Sequence, residues 1–166
     1  MRKKVIDRSR CVGCKNCELA CIAVHSTNGS ATASYLAGIA SAPGPRNKLE
    51  KGPDGERFPQ FCRHCDSPAC VEACMSGALQ KCADGYVICD TDRCVGCYMC
   101  VMSCPYGNAR PSMGPRRMML KCDGCADREC MACVAACPTG CLSVVDDADD
   151  AVEYVEPETA AERSEP

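Results

Sequence analysis

At 166 residues the chain has room for one ordinary domain or two closely packed small ones, and its 20 Cys stand against no Trp, two Phe and five Tyr, so aromatic packing cannot build its core. The formal charge of −3 is unevenly spread: nine acidic residues and one basic residue fall between positions 146 and 166, which leaves the rest of the chain about +5. Basic residues scattered among Cys motifs, without aromatic stacking neighbours, argue against a nucleic-acid stripe and for a protein partner.

The chain opens Met1-Arg2-Lys3-Lys4-Val5-Ile6 with no apolar segment of signal-peptide type behind it. The longest mostly apolar stretch, 35–42, is too short and too rich in Gly, Ser and Ala to cross a bilayer. The expectation is a soluble protein of a reducing compartment, cytoplasmic, with no membrane insertion. The first cysteine quartet follows, Cys11, Cys14, Cys17 and Cys21, with helix-compatible residues at 18–20 and 22–24. Residues 26–60 carry Gly29, Gly38, Pro43, Gly44, Pro45, Gly52, Pro53, Gly55 and Pro59, which should break any regular element. This reads as an insertion loop, either a docking segment or a solvated excursion.

The second quartet is Cys62, Cys65, Cys70 and Cys74, with a short helical run at 71–73. Residues 78–81 and 86–88 flank Ala83-Asp84-Gly85, an Asp-Gly turn between two apolar runs that predicts a hairpin. Cys94, Cys97, Cys100 and Cys104 form the third quartet and Cys122, Cys125, Cys133 and Cys137 the fourth, with helical runs at 101–103 and 134–136. The expected organisation is one cysteine-rich unit over 1–145 and an acidic tail over 146–166 that lacks the apolar content to fold alone.

Residues 94–105 match the ferredoxin run C-x2-C-x2-C-x3-C-P without a mismatch, and the first quartet matches it except for the final Pro. Two residues between successive cysteines let a tight loop wrap three irons of a 4Fe-4S cluster. The fourth cysteine then points away and serves a neighbouring cluster. The second quartet widens its middle gap to four residues and the fourth to seven, keeping the C-x2-C start and C-x3-C end. Sixteen thiolates and four clusters follow, with quartets sharing clusters in pairs. Spacing alone allows the pairs to be sequential or nested.

An all-cysteine zinc site uses two separated C-x2-C pairs, and these motifs overfill it. Disulfides are disfavoured by cysteines too close in sequence for the required geometry. Cys130 competes with Cys133 as third ligand of the last quartet, and Cys133 is preferred because it alone keeps the C-x3-C spacing. Cys82, Cys89 and Cys141 read as small buried hydrophobes. His64 lies in a cluster loop and reads as a plain loop residue ahead of the alternative, a hydrogen bond to a sulfide or thiolate; Lys15, Arg63 and Lys121 adjoin ligands whose potential they could raise, or are surface charges without such a role. No nucleotide loop, catalytic triad or open metal site is legible, so the expected role is outer-sphere electron transfer without catalysis.

With the quartets in place, the sequence resembles the four-cluster iron-sulfur subunits of dimethyl sulfoxide reductase-type molybdenum and tungsten enzymes, certain hydrogenases and carbon monoxide dehydrogenase. The likeness is carried by residues 11–21 with His25-Ser26, by Phe61-Cys62-Arg63-His64-Cys65, by residues 68–74 and 97–107, and by Lys121-Cys122-Asp123-Gly124-Cys125. The first stretch is most similar to the subunits of carbon monoxide dehydrogenase and tungsten aldehyde oxidoreductase. The resemblance implies an α+β fold of two pseudo-repeated dicluster ferredoxin-like halves, with short strands and helices and little conventional core. It also implies nested pairing: Cys11, Cys14 and Cys17 with Cys137; Cys122, Cys125 and Cys133 with Cys21; Cys62, Cys65 and Cys70 with Cys104; Cys94, Cys97 and Cys100 with Cys74. The implied partners are a large catalytic oxidoreductase subunit and a second electron-transfer protein or flavoprotein. A free polyferredoxin and a zinc-binding structural module are the alternatives.

Overall fold

In the computed structural model, which describes residues 2–26, 29–30, 32, 44–112, 116–145 and 153–155, the β-branched pair Val5-Ile6 anchors the first strand, β1 (Lys3–Asp7). A single 3-10 turn (Arg8–Arg10) leads from it to the first cysteine loop and helix α1 (Asn16–His25). Then come β2 (Lys48–Lys51), β3 (Arg57–Gln60), α2 (Ala69–Glu72), β4 (Leu79–Lys81), β5 (Val87–Cys89) and α3 (Met99–Ser103). The order ends with β6 (Arg110–Pro111), β7 (Met119–Leu120), α4 (Ala132–Ala135), β8 (Leu142–Val145) and β9 (Glu153–Val155). The expected helices are present at all four quartets, and α1 runs nearly three turns where one or two were expected.

Two antiparallel ladders decide which cysteine loops meet. β1 pairs with β8, Ile6 lying opposite Leu142, and β4 pairs with β5 around the expected Asp84-Gly85 turn, Leu79 lying opposite Cys89. β1 and β5 are the strands that enter the first and third quartets, and β8 and β4 are the strands that leave the fourth and second. Each ladder therefore ties an entering strand to a leaving one, which brings quartet one beside quartet four and quartet three beside quartet two. The helices agree: α1 packs on α4, and α2 on α3.

The segment 26–60, expected to lack regular structure, contains the β2–β3 hairpin, with Leu49 opposite Pro59. Gly52, Pro53 and Gly55 occupy the connecting turn, where the N–H of Gly52 donates to the Glu56 carbonyl at 2.8 Å, so they mark the turn between strands. Pro59 is tolerated because this ladder has only two strands, and a proline there removes no inner hydrogen bond. Much of the remaining insertion, and most of the acidic tail, lie outside the described residues. Within the tail, β9 runs parallel to β1, Ile6 opposite Tyr154.

The core divides into two groups. One gathers Ile6, Phe61, Met131 and Leu142 around Cys17, Cys122, Cys125, Cys133 and Cys141; the other gathers Leu79, Val87, Ala109 and Met119 around Cys100. Large apolar side chains are few, so each matters. Phe61, 1 % exposed, lies beside Cys62 and under the Lys4 ammonium, 5.2 Å from its ring centroid. Phe61→Ala should cost about 3–5 kcal/mol, read as a lower denaturant midpoint by circular dichroism under anaerobic conditions; a loss below about 1 kcal/mol would contradict this packing role.

Candidate metal centres

Each quartet begins with the same backbone device. The residue before the second cysteine is left-handed in all four loops: Gly13 at φ 68°, His64 at φ 51°, Gly96 at φ 66° and Gly124 at φ 74°. At Gly96 even a methyl group is excluded, since a Cβ would sit 2.5 Å from the Arg117 carbonyl oxygen. His64 fills a glycine's place because its ring offsets the strain: Nδ1 accepts the Val87 N–H at 3.0 Å, and the ring meets Tyr86 edge-on. That bond fixes the tautomer with the proton on Nε2, which is buried and has no partner. Burial and the neighbouring Lys121 and Lys4 ammonium groups push the His64 pKa down to about 2, so the ring is neutral.

The thiols gather in four sets. Cys11, Cys14, Cys17 and Cys137 line one cavity; Cys21, Cys122, Cys125 and Cys133 line a second; Cys74, Cys94, Cys97 and Cys100 line a third. The fourth set is close enough that Cys62, Cys104 and Cys65 each raise the Cys70 pKa, after burial, which acts most. In every set the lone member comes from the neighbouring quartet, which is the nested arrangement and not the sequential one. Cys133 lines its cavity while Cys130 is exposed. Cys82 is half-buried; the buried Cys141 also lines the first cavity and the half-buried Cys89 the third, within hydrogen-bonding reach of Cys11 and Cys94.

Burial raises seven of the sixteen quartet thiols, among them Cys21 and Cys133 to about 12 and Cys17 and Cys100 to about 11. Thiolates here therefore need compensating charge or hydrogen bonds. The chain supplies both. The N–H of Arg46 donates to Cys21 Sγ at 3.3 Å, that of Gly124 to Cys122 Sγ at 3.4 Å, and that of Leu79 to Cys74 Sγ at 3.4 Å. Burial would raise Cys74 and Cys137 as well, but backbone N–H groups and the Ser76 and Thr139 hydroxyls bring both below the usual thiol value. Among the described residues no three His, Cys, Asp or Glu side chains close tightly enough for a lone metal ion; the thiols ring cavities instead.

Lys4, Asn47, His25 and Asp123, to none of which sequence reasoning assigned a role in a site, also line the second cavity. Lys4, nearly buried, donates to Cys122 Sγ at 3.4 Å. Burial alone would lower its pKa, but Cys122, Cys133 and Cys125 outweigh this and hold it above the usual lysine value. Asn47 lines the cavity with both amide atoms buried and unpartnered. Asp123 accepts from Arg46 and pairs with His25 Nε2 at 2.9 Å, while His25 Nδ1 lies 2.8 Å from the Cys21 carbonyl oxygen. Apart from the local His25–Cys21 contact, partners here are 77 to 118 residues apart, so no local pattern announces them. Unpartnered buried donors at Asn47, in the lining of a thiol-lined cavity, and at His64, between Cys62 and Cys65, fit a sulfur-rich group that accepts hydrogen bonds.

Residues 54–147 match a family described as the 4Fe-4S dicluster domain. The protein is 37 % identical over 143 residues to the B subunit of anaerobic dimethyl sulfoxide reductase from Escherichia coli (strain K12), with 82 % of its own length and 69 % of that subunit's covered. To the corresponding subunit from Haemophilus influenzae (strain ATCC 51907 / DSM 11121 / KW20 / Rd) it is 35 % identical over 145 residues, with the same coverage. It is 32 % identical over 161 residues to the electron transport protein HydN of Escherichia coli (strain K12), covering 86 % of each.

Asp123 is the joint between α1, the 44–47 segment and the fourth quartet. Asp123→Ala should cost about 1.5–3 kcal/mol, measured as a shift in denaturant midpoint, and Asp123→Asn, which keeps one acceptor, should cost less. An alanine variant as stable as the parent would contradict this.

Proposed function

We propose that this chain, which belongs to the 4Fe-4S dicluster family of ferredoxin-like iron-sulfur electron-transfer proteins, holds four 4Fe-4S clusters and conducts electrons between a large catalytic oxidoreductase subunit and a second electron-transfer protein or flavoprotein. The observation that supports this most is the sorting of all sixteen quartet cysteines into four sets of four. The holders would be Cys11, Cys14, Cys17 and Cys137; Cys21, Cys122, Cys125 and Cys133; Cys62, Cys65, Cys70 and Cys104; and Cys74, Cys94, Cys97 and Cys100. When bound, such a group stores one electron at a potential set by hydrogen bonds, burial and nearby charge. The protein's own part is to supply the thiolates, aim N–H groups at them and limit water. Thiols that ring a cavity suit a multi-iron group better than zinc, whose four ligands sit about 2.3 Å from one point.

On this reading the fold is two pseudo-repeated dicluster halves, one built on the β1/β8 ladder and one on β4/β5, and the protein is non-catalytic. The relatives named for dimethyl sulfoxide reductase favour a molybdenum or tungsten enzyme as the partner. Carbon monoxide dehydrogenase and tungsten aldehyde oxidoreductase are partners the same four sets would serve. A second reading, a freely diffusing carrier, is favoured by the match to HydN over 86 % of both proteins. Among the described residues no helix is long and apolar enough to cross a membrane. Among the described residues no two cysteines are joined as a disulfide, which suits a reducing compartment, and we place the protein in the cytoplasm.

Anaerobic purification under native conditions should yield about sixteen iron and about sixteen acid-labile sulfide per chain, together with a large metalloenzyme subunit. Cys133→Ser should lower the iron by roughly a quarter and Cys130→Ser should leave it unchanged. The same iron without a partner would favour the free carrier; zinc, or about four irons, would overturn the four-cluster reading.

A further inference from the structure

We infer that Lys4 and Asn47 act as positioning residues for one cluster alone, the one at Cys21, Cys122, Cys125 and Cys133, and make it more readily reduced than the two clusters at the ends of the row of four. This rests on the cluster reading above.

The four sets follow one another through the protein. Cys17 shares a core with Cys122, Cys125 and Cys133; Cys122 acts electrostatically on Cys62; and Cys70 shares the other core with Cys94 and Cys100. The Cys11 and Cys94 sets are therefore outer, and their loops expose Val12 and Val95, each 68 %. The Cys122 and Cys62 sets are inner.

Reduction adds negative charge, so a fixed cation in a low-dielectric site favours the reduced form, and so does an N–H donor. Lys4 meets that requirement. Only 5 % of it is exposed, its Nζ donates directly to Cys122 Sγ, and β1 is held on both sides by β8 and β9, so the sheet fixes where the ammonium lies. Asn47 is 2 % exposed and its backbone carbonyl is held by Arg110 at 2.7 Å. Neither amide atom is tied to a partner, so the amide is free to take the orientation that turns its NH2 group into the cavity.

The charges around the other sets differ. Among the described residues, the cavity of Cys74, Cys94, Cys97 and Cys100 has no charged side chain in its lining. That of Cys11, Cys14, Cys17 and Cys137 has, among the described residues, Lys15 alone, which is exposed and screened by water. Near the Cys62 set, the buried Lys121 ammonium is committed to the carbonyls of Val87 and Cys122. Asp123, the carboxylate at the Lys4 cavity, is paired with the Arg46 guanidinium and hydrogen-bonded to His25.

The test is an anaerobic redox titration of the loaded full-length protein followed by electron paramagnetic resonance, with iron and sulfide measured on every sample. Cys133→Ser identifies the component of the set. In the parent protein that component should be reduced before those of the two outer sets. Lys4→Met should make its reduction at least tenfold less favourable, 59 mV for one electron, and move the other three by less. Lys4→Arg should restore it, and Asn47→Leu should shift the same component in the same direction by a smaller amount. If Lys4→Met does not load clusters, Asn47→Leu decides alone. With iron intact, an unmoved component, an equal shift of all four, or a parent component reduced after the outer two would overturn the inference. A parent protein without clusters would overturn the cluster reading instead.

Discussion

The crossing of the fourth cysteine is the constraint on which the rest of the structure depends. A C-x2-C-x2-C loop can bend three thiols around one cavity, but a fourth thiol on the following helix faces away from it. The protein answers by laying α1 against α4 and α2 against α3, so that Cys21 and Cys137 exchange cavities, while Cys74 enters the third quartet's cavity and Cys104 comes close enough to act on Cys70. The β1/β8 and β4/β5 ladders hold those exchanges in register. A slip of one residue in either would turn its inward side chains outward and separate the loops it joins.

The same constraint explains a core with little conventional packing. Phe61, Ile6, Met131 and Val87 are among the largest side chains wholly enclosed, and much of what they touch is cysteine. Polar groups are buried as well: the ammonium of Lys4, the amide of Asn47 and the imidazole of His64. Left without partners such groups oppose folding. Beside sulfur-rich occupants they become hydrogen-bond donors, so in our reading the clusters complete the core and the polar network together.

Much of this was legible in the sequence, for a physical reason. Loop wrapping is a local requirement, so Cys94-Val95-Gly96-Cys97 and its three counterparts declare themselves by spacing, as does the Asp84-Gly85 hairpin. Pairing is not local. Whether Cys21 meets Cys122 or a cysteine of the second quartet depends on β1 finding β8 across more than 130 residues, and only the resemblance to known subunits pointed that way. The β2–β3 hairpin was missed because Gly52, Pro53 and Gly55 were read as breaking structure when they turn it. Lys4 and Asn47 carried no signal: a lysine in a basic amino-terminal run and an asparagine in a Pro/Gly-rich loop look like surface residues until the fold brings both to one cavity.

Anomalous diffraction at the iron edge from anaerobically grown crystals tests the central claim most directly. The account predicts four iron peaks, with Cys21 directed at the peak shared by Cys122, Cys125 and Cys133, and Cys137 at the peak shared by Cys11, Cys14 and Cys17. Fewer than four peaks, or Cys21 directed at a peak shared with the second quartet, would contradict it.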